Sequence, residues 1–243
     1  PVVREVHVPF DRLPEGLHGL RIAQISDLHV GPTIQKDYVE AVVERTLEAK
    51  PDLIMLTGDM ADGTPELLRE HFAPLAQLKA PLGVYYVTGN HEYYWGGLEW
   101  VEAMRGMGFT PLLNENRIVE HRGARLLIAG VTDPAGEKFY DSHRSDLRRS
   151  LASADGKPSA DLKILLAHRP DTYKDAEPAG FDLQLSGHTH AGQITVARLH
   201  ELAIGRIAGH KYVHGLYGDR RARGAVYVGA GIGASVLPFR FGE

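Results

Sequence analysis

Residues 182–196 read DLQLSGHTHAGQITV, and this stretch combines a strand pattern with two closely spaced imidazoles. The alternation of apolar and polar residues up to Ser186 predicts a buried β-strand. Directly beyond it, His188 and His190 stand one residue apart among small and polar neighbours. A surface turn needs no such pair, so the pattern indicates that a strand delivers two nitrogen ligands to a site at its end.

Apolar runs of strand length recur along the chain, and each is closed by glycine or polar residues. They lie at 20–26, 52–58, 83–89, 125–131, 162–168, 182–188 and 224–231. Helical spacing occurs between several of them, at 38–49, 65–78 and 98–107. The alternation of strand and helix predicts an α/β fold whose first part is largely parallel. The shorter connections later in the chain predict some antiparallel pairing.

Composition limits the classes of protein to which the chain can belong. Its 243 residues are 43% hydrophobic and contain no convincing linker, so a single domain over 1–243 is expected. The stretch SADGKPSAD at 153–161 predicts a surface loop. A formal net charge of -4 argues against a nucleic-acid or anionic-membrane binder. The absence of cysteine excludes disulfides and thiolate ligands, so a metal must be bound by oxygen and nitrogen.

Charge and hydropathy leave alternatives for partners and location. Basic residues dominate between 198 and 223, which fits either a solvated loop face or a cationic lip for an anionic substrate. No apolar run reaches the length of a membrane span, and no signal peptide is visible. The sequence begins at Pro1 and stops directly after an apolar run, so a missing anchor or leader is an alternative. The compartment is therefore undetermined, and membrane association in a bacterium is one interpretation.

Five predicted strand ends carry side chains that can bind metal. The blocks SDLH, GDMAD, GNHE, AH and GHTH begin at residues 26, 58, 89, 167 and 187. In open α/β sheets ligands gather at the carboxyl ends of strands, where these blocks would meet. Residues i and i+2 of an extended segment project to the same side, so Asp27 and His29 are expected to converge. The same holds for His188 and His190. One such residue alone would more often cap a helix or line a loop, but five in order indicate a site.

The five blocks occur in the order of a known family signature. The series D-x-H, G-D-x-x-[DN], G-N-H-[DE], a later His and G-H-x-H resembles that of the calcineurin-like metallophosphoesterases, over roughly residues 20–192. The stretches LPEGLHGLRIAQISDLHVG and GAGIGASVLPFRFG resemble the bacterial branch of that family that is often linked to membrane segments. The resemblance implies a four-layer α-β-β-α sandwich of mixed sheets that holds two divalent metal ions.

The resemblance also implies a set of metal ligands. One ion would be bound by Asp27, His29 and His190, the other by Asn90, His168 and His188, and Asp59 would bridge the two. These oxygen and nitrogen ligands suit Mn, Zn, Fe or Co and do not choose among them. Two carboxylates against four positive charges would leave the centre cationic, so it should attract a phosphate although the whole chain is acidic.

His91 and Asp62 are the implied catalytic pair. By resemblance, His91 donates a proton to the leaving oxygen and Asp62 orients its imidazole. Asp62 has an alternative role as a cap of the helix that should begin near Pro65, for which Thr64 is a further cap candidate. Arg169 is a candidate substrate-binding residue that could contact phosphate, and a solvated arginine is the alternative.

Four aromatic residues, Tyr93, Tyr94, Trp95 and Trp100, follow His91 closely. They are expected to pack in the core or on a helix face, and the alternative makes some of them the wall of a substrate cleft. Gly63 stands where the protein Ser/Thr phosphatase branch carries an arginine, so a phosphoprotein is a less expected substrate.

Together these features predict a metal-dependent hydrolase of phosphoric ester or pyrophosphate bonds. By resemblance, a metal-bridging hydroxide attacks phosphorus while His91 protonates the leaving group. The expected substrate is a phosphodiester or pyrophosphate, such as the lipid-linked nucleotide UDP-2,3-diacylglucosamine. The alternatives are a broad phosphomonoesterase and a noncatalytic scaffold. No nucleic-acid or protein partner is expected, and membrane association would use loops or segments outside this sequence.

Overall fold

The computed structural model describes residues 1–152, 159–192, 211–218 and 224–233. Its strands are β1 Ile22–Ile25, β2 Leu53–Leu56, β3 Val84–Tyr86, β4 Thr110–Pro111, β5 Glu115–His121, β6 Ala124–Gly130, β7 Leu162–Leu166, β8 Leu183–Ser186, β9 Gly215–Gly218 and β10 Ala225–Val228. Its α-helices are α1 Lys36–Glu48, α2 Pro65–Phe72, α3 Asn90–Tyr94, α4 Gly97–Gly106, α5 Leu147–Leu151 and α6 Tyr173–Ala179. Most of the basic segment at 198–223 and of the loop predicted at 153–161 lies outside the described residues.

The described strands form two sheets. In the first sheet the order is β1-β2-β3-β4, and every pair is parallel. In the second the order is β5-β6-β7-β8-β10-β9, with antiparallel pairs at both edges and parallel pairs between them. The prediction of a largely parallel first part followed by some antiparallel pairing is confirmed.

Strand β2 is buried on both faces, as expected of a strand in a parallel sheet. Ile54 and Leu56 pack with side chains of α1, α2 and α4, whereas Leu53 and Met55 face the second sheet. The second sheet buries its other face, including Leu127, against α5 and α6. The layers therefore follow the order helix, sheet, sheet, helix, and the predicted four-layer α-β-β-α sandwich is confirmed.

All seven predicted strands and all three predicted helices occur close to their expected positions. The helix predicted at 65–78 is divided, because α2 ends at Phe72 and a 3-10 helix continues over Ala73–Gln77. Thr64 is the N-cap of α2, and its hydroxyl accepts a hydrogen bond from the backbone N–H of Leu67 at 3.4 Å. The elements that were not predicted are β4, β5, β9, α3, α5 and α6.

The two sheets approach each other closely at Gly130, the last residue of β6. A Cβ atom at this position would lie 2.5 Å from both Leu112 Cβ and Val87 Cγ1. Both neighbours are buried in the apolar layer between the sheets. A methyl group at Gly130 therefore has no room unless the sheets move apart.

The variant Gly130→Ala should lower the free energy of unfolding by about 1–3 kcal/mol, because overpacking forces neighbouring side chains out of their preferred rotamers. A matched control is Gly106→Ala at the end of α4, where no atom lies within 4 Å of the added Cβ. That change should be neutral or stabilise the helix by up to about 1 kcal/mol. Urea unfolding followed by circular dichroism compares them, and equal stability of the two variants would contradict close packing at Gly130.

Candidate metal centre

Loops at the carboxyl ends of five parallel strands carry the predicted site residues. Asp27 and His29 follow β1, Asp59 follows β2, Asn90 and His91 follow β3, His168 follows β7, and His188 and His190 follow β8. The first three strands belong to one sheet and the last two to the other. The site therefore lies where the two sheets meet at the same end.

Asp27, His29 and His190 form the first group of candidate ligands. Nε2 of His190 lies 3.4 Å from Asp27 Oδ1 and 3.0 Å from His29 Nε2. All three residues are buried, and one ligand atom from each lies within 4.8 Å of the others. This is the set that the resemblance assigns to one metal ion.

Asp59, His168 and His188 form the second group. Nε2 of His168 lies 3.1 Å from Asp59 Oδ2 and 3.2 Å from His188 Nδ1. The same Asp59 Oδ2 lies 3.9 Å from His29 Nε2, which belongs to the first group. The Asp59 carboxylate thus stands between the two groups, where a bridging ligand is expected.

Asn90, the first residue of α3, is placed beside Asp59 by its two neighbours in the chain. The backbone N–H of His91 donates to Asp59 Oδ1 at 2.9 Å. A Cβ atom at Gly89 would overlap the same oxygen, so only glycine allows this approach. Oδ1 of Asn90 is buried, and no described residue donates a hydrogen bond to it. A buried oxygen that accepts no hydrogen bond destabilises the folded state by about 1–3 kcal/mol, and a bound cation would remove this cost.

The spacing of the imidazole nitrogens also fits shared metal ions. Two nitrogens that lie about 2.1 Å from one ion, at right angles, are about 3.0 Å apart. The observed separations are 3.0 Å for His29 and His190 and 3.2 Å for His168 and His188. Burial would lower the pKa of His168, but the charge and hydrogen bond of Asp59 raise it to about 10, so this position favours positive charge. The residues present therefore fit a pair of divalent ions.

The candidate ligands adopt an uncommon backbone conformation. Positive φ angles between 50° and 73° occur at Asp27, His29, Asp59, His188 and His190. This left-handed region costs a residue with a side chain about 1–2 kcal/mol. The prediction that Asp27 and His29, and likewise His188 and His190, converge because they lie in extended segments is wrong. Strand β1 ends at Ile25 and β8 at Ser186, so both pairs lie in tight loops. The loop geometry also directs His188 and His190 into different groups.

Asp62 lies between two imidazoles. Its Oδ1 accepts a hydrogen bond from His91 Nδ1 at 2.5 Å, and its Oδ2 accepts one from His29 Nδ1 at 3.1 Å. Burial would raise the pKa of Asp62, but these two hydrogen bonds hold it well below its ordinary value. The alternative role of Asp62 as the cap of α2 is wrong, because Thr64 fills that position.

Arg169 is bound to a carboxylate that the sequence did not single out. Its Nε donates to Asp133 Oδ2 at 2.9 Å, and its Nη2 donates to Asp133 Oδ1 at 3.3 Å. The Asp133 side chain is fully buried, while a third of the Arg169 side chain is exposed. The alternative of a merely solvated arginine is therefore wrong. The contact between Arg169 and substrate phosphate stays a prediction.

Glu92 is a buried residue of the site to which the sequence gave no role. Its carboxylate accepts hydrogen bonds from the backbone N–H groups of Gly89, Asp59 and Met60, at 2.7, 3.1 and 2.6 Å. It therefore ties the loop after β2 to the start of α3. Burial raises the pKa of Glu92 to about 7. The sequence signal that could have identified Glu92 is its position as the last residue of the GNHE block.

The loop after β8 is held against the loop after β1 in a similar way. The backbone N–H of His188 donates to Asp27 Oδ1 at 2.9 Å, and the Ser26 hydroxyl donates to Asp27 Oδ2 at 2.5 Å. A Cβ atom at Gly187 would overlap both Ser26 Oγ and Asp27 Oδ2. Only glycine at position 187 allows the two loops to approach this closely.

The aromatic residues beyond His91 divide into two kinds. Tyr93 and Trp100 are buried, as expected for core residues. Tyr94 and Trp95 are instead 55% and 43% exposed. Neither of these two is therefore a core residue, and Tyr94 lies on the exposed face of α3.

Comparison with known proteins places the chain among phosphoesterases. The family model described as calcineurin-like phosphoesterase matches residues 20–192. A zebrafish protein named "Transmembrane protein with metallophosphoesterase domain" is 35% identical over 247 residues, which cover 99% of this chain and 54% of that protein. The uncharacterised Bacillus subtilis metallophosphoesterase YkuE is 32% identical over an alignment that covers 94% of this chain and 77% of YkuE. The chain spans about half the length of the zebrafish and bovine relatives.

Solved structures show the same fold at low sequence identity. Thermus thermophilus sulfate thiohydrolase SoxB aligns with a TM-score of 0.50 and 18% identity, covering 79% of this chain and 37% of SoxB. GAP50 of Plasmodium aligns with a TM-score of 0.50 and 13% identity, covering 90% of this chain and 75% of GAP50. Within the described part of the chain, no helix has the length and apolar character needed to cross a bilayer.

The variant Glu92→Gln should weaken metal binding about 10- to 100-fold, because an amide nitrogen would face a backbone N–H in place of one carboxylate oxygen. Titration calorimetry of metal-free protein with Zn²⁺ or Mn²⁺ at pH 8, above the pKa of Glu92, measures the effect. The exposed Glu70→Gln on α2 is the matched control and should bind as the wild type does. Equal affinity of a folded Glu92→Gln protein would show that these hydrogen bonds do not support the site.

Proposed function

Since the chain belongs to the calcineurin-like phosphoesterase family, we propose that it is a dinuclear metal-dependent hydrolase of a phosphodiester or pyrophosphate bond. The observation that carries the proposal is the position of the Asp59 carboxylate between two groups of imidazoles. Its Oδ2 lies 3.1 Å from His168 Nε2 and 3.9 Å from His29 Nε2.

In this proposal the side chains of five loops bind the two ions. Asp27, His29 and His190 bind one, Asn90, His168 and His188 bind the other, and Asp59 contacts both. The ligand set admits Mn, Zn, Fe or Co. When bound, such ions lower the pKa of water at the site and offset the negative charge of the phosphoryl group.

His91 is the proposed proton donor to the leaving oxygen. Its Nδ1 donates to Asp62 Oδ1, so its Nε2 is directed into the site, 4.0 Å from Asp59 Oδ2. Burial would lower the pKa of His91, but the hydrogen bond to Asp62 and the nearby carboxylate charges together outweigh it and raise that pKa. A protonated Nε2 can pass its proton to the leaving oxygen, and the imidazole then recovers a proton from solvent.

A singly charged phosphoryl group suits the described surroundings better than a dianionic monoester. Gly63 offers no cationic side chain, and a Cβ atom there would lie 3.1 Å from Leu68 Cδ1, so a larger residue would require the Leu68 side chain to shift. The guanidinium of Arg169 is already balanced by Asp133. These two observations support a diester or pyrophosphate substrate.

Within that class, a lipid-linked nucleotide such as UDP-2,3-diacylglucosamine, cleaved at its pyrophosphate, is the first substrate to test. It is supported by the resemblance to the membrane-linked bacterial branch and by relatives named as transmembrane proteins. Membrane association is proposed on the same grounds. A noncatalytic scaffold is the alternative from another class, and GAP50 is described as an anchor in the inner membrane complex of Plasmodium.

A panel of mono-, di- and pyrophosphate esters, including UDP-2,3-diacylglucosamine, tests the proposal after reconstitution with Mn²⁺, Zn²⁺ or Fe²⁺. The diester or pyrophosphate should show a higher kcat/KM than the monoester of the same alcohol. A preference for the monoester would reverse the proposed order. Uptake of metal without turnover of any ester would favour the scaffold.

Two variants separate metal binding from proton donation. His91→Ala should lower kcat about 10²- to 10⁴-fold, because the leaving oxygen loses its acid, while the protein still takes up both ions. Asp59→Asn should instead lose metal, because the carboxylate between the two groups becomes neutral. Metal content by mass spectrometry and steady-state kinetics are the measurements. Full rate in His91→Ala, or two retained ions in Asp59→Asn, would refute the respective role.

A further inference from the structure

Two half-exposed aromatic rings stand beside the proposed proton donor. Tyr94, on α3, is 55% exposed, and Phe139, just after a 3-10 helix at Pro134–Lys138, is 48% exposed. The ring centroids of Tyr94 and Phe139 are 6.2 Å apart, and the Tyr94 centroid lies 5.5 Å from that of His91. These two rings, the aromatic rim, therefore form a surface that is continuous with the catalytic imidazole.

The aromatic rim is held in place by the buried ring of Tyr93. The Tyr93 ring lies 6.1 Å from that of Phe139, at an angle of 19° between their planes. Its hydroxyl is within hydrogen-bonding distance of His143 Nδ1, at 2.8 Å, and of Thr88 Oγ1, at 3.1 Å. The segment that carries Tyr94 and the segment that carries Phe139 are therefore packed on one anchored side chain.

Two glycines allow this packing. A Cβ atom at Gly97 would lie 2.6 Å from Tyr93 Cδ1, and one at Gly136 would lie 2.6 Å from Tyr93 Cζ. The Tyr93 ring thus fills the space between α4 and the 3-10 helix that precedes Phe139. Because both segments are fixed, the aromatic rim is displayed before any ligand arrives, and a ligand need not order it.

The position of the aromatic rim relates it to one part of the substrate. Proton donation requires the leaving oxygen to lie within hydrogen-bonding distance of His91 Nε2. The carbon skeleton attached to that oxygen then begins beside His91, whose ring centroid lies 5.5 Å from that of Tyr94. Water contacts apolar ring faces unfavourably, so a leaving group with its own apolar or aromatic face would gain by covering them.

On the basis of the function proposed above, we infer that Tyr94 and Phe139 recognise the leaving group, and that the enzyme prefers phosphoesters whose leaving alcohol carries an apolar or aromatic face. This assigns the aromatic rim to substrate specificity. It names a class of leaving group and applies to diesters and pyrophosphates alike.

A matched pair of substrates isolates this contact. Methyl 3-phenylpropyl phosphate and methyl propyl phosphate share the same reacting atoms, and the phenyl ring is too remote to change the leaving oxygen appreciably. The metal-loaded wild type should show a higher kcat/KM for the phenyl compound, by about 3- to 10-fold. Both Tyr94→Ala and Phe139→Ala should reduce this ratio, chiefly through KM.

Two further variants control the experiment. Tyr94→Phe keeps the ring and removes the hydroxyl, so it should retain the ratio if ring contact is responsible. Leu47→Ala changes an apolar residue of α1 that is 36% exposed, and should leave the ratio and the activity as in the wild type. Circular dichroism and metal analysis establish that each variant is folded and loaded.

Binding provides a second measurement that does not need turnover. Calorimetry of the loaded protein should give a lower Kd for 3-phenylpropylphosphonate than for propylphosphonate, and Tyr94→Ala should abolish the difference. Turnover of both esters with equal kcat/KM would overturn the inference and leave the proposed function standing. If neither ester were hydrolysed, the proposed hydrolysis of such diesters would be wrong. Equal Kd values for the two phosphonates would overturn the inferred recognition of the leaving group. Loss of vesicle binding in Tyr94→Ala with an unchanged ratio would make the aromatic rim a bilayer contact and refute the inference.

Discussion

The buried negative charge of Asp59 is the constraint on which the rest of the site depends. Burial would raise the pKa of its carboxyl group, but the charge and hydrogen bond of His168, with the charges of two further histidines, hold that pKa well below its ordinary value. An ionised carboxylate in such a position must be compensated by cations or by donors. His29 and His91, from the first sheet, and His168, from the second, supply that compensation, so the sandwich must bring both sheets to the same point.

The contact between the sheets also fixes the orientation of one candidate ligand, His168. Nδ1 of His168 donates to the carbonyl of Thr57 in the other sheet at 2.8 Å, which leaves Nε2 to face Asp59. Gln24, in β1, donates to the backbone oxygen of Ser186, in β8, at 2.9 Å. These hydrogen bonds join the two sheets beneath the site, and the one to Thr57 leaves Nε2 of His168 as the ring nitrogen that faces the site. Sheet packing and ligand chemistry are therefore parts of one arrangement.

The sequence predicted the strands that lie in mostly apolar runs and missed β5, in which polar residues alternate with apolar ones. Strand β2 is apolar on both faces and was found, whereas β5, ENRIVEH, is only partly buried and alternates polar residues. Its hairpin turn uses Arg122 and Gly123, both with positive φ, which lack the usual Asn-Gly signal. The membership of the site followed from the five blocks. The division of His188 and His190 between two groups followed only from the family resemblance, because it depends on left-handed backbone angles that no periodicity records.

Neighbouring residues with the same side chain illustrate why such details need coordinates. Tyr93 and Tyr94 are adjacent and chemically identical, yet one is 2% exposed and the other 55%. The direction of α3, set where Glu92 binds the backbone of the Asp59 loop, decides which ring enters the core. The hydrogen bonds that hold the Asp59 loop therefore also orient the Tyr94 ring beside His91. A change in the packing around Tyr93 would move both His91, the proposed proton donor, and the aromatic rim, so the proposed specificity depends on the packing of the core.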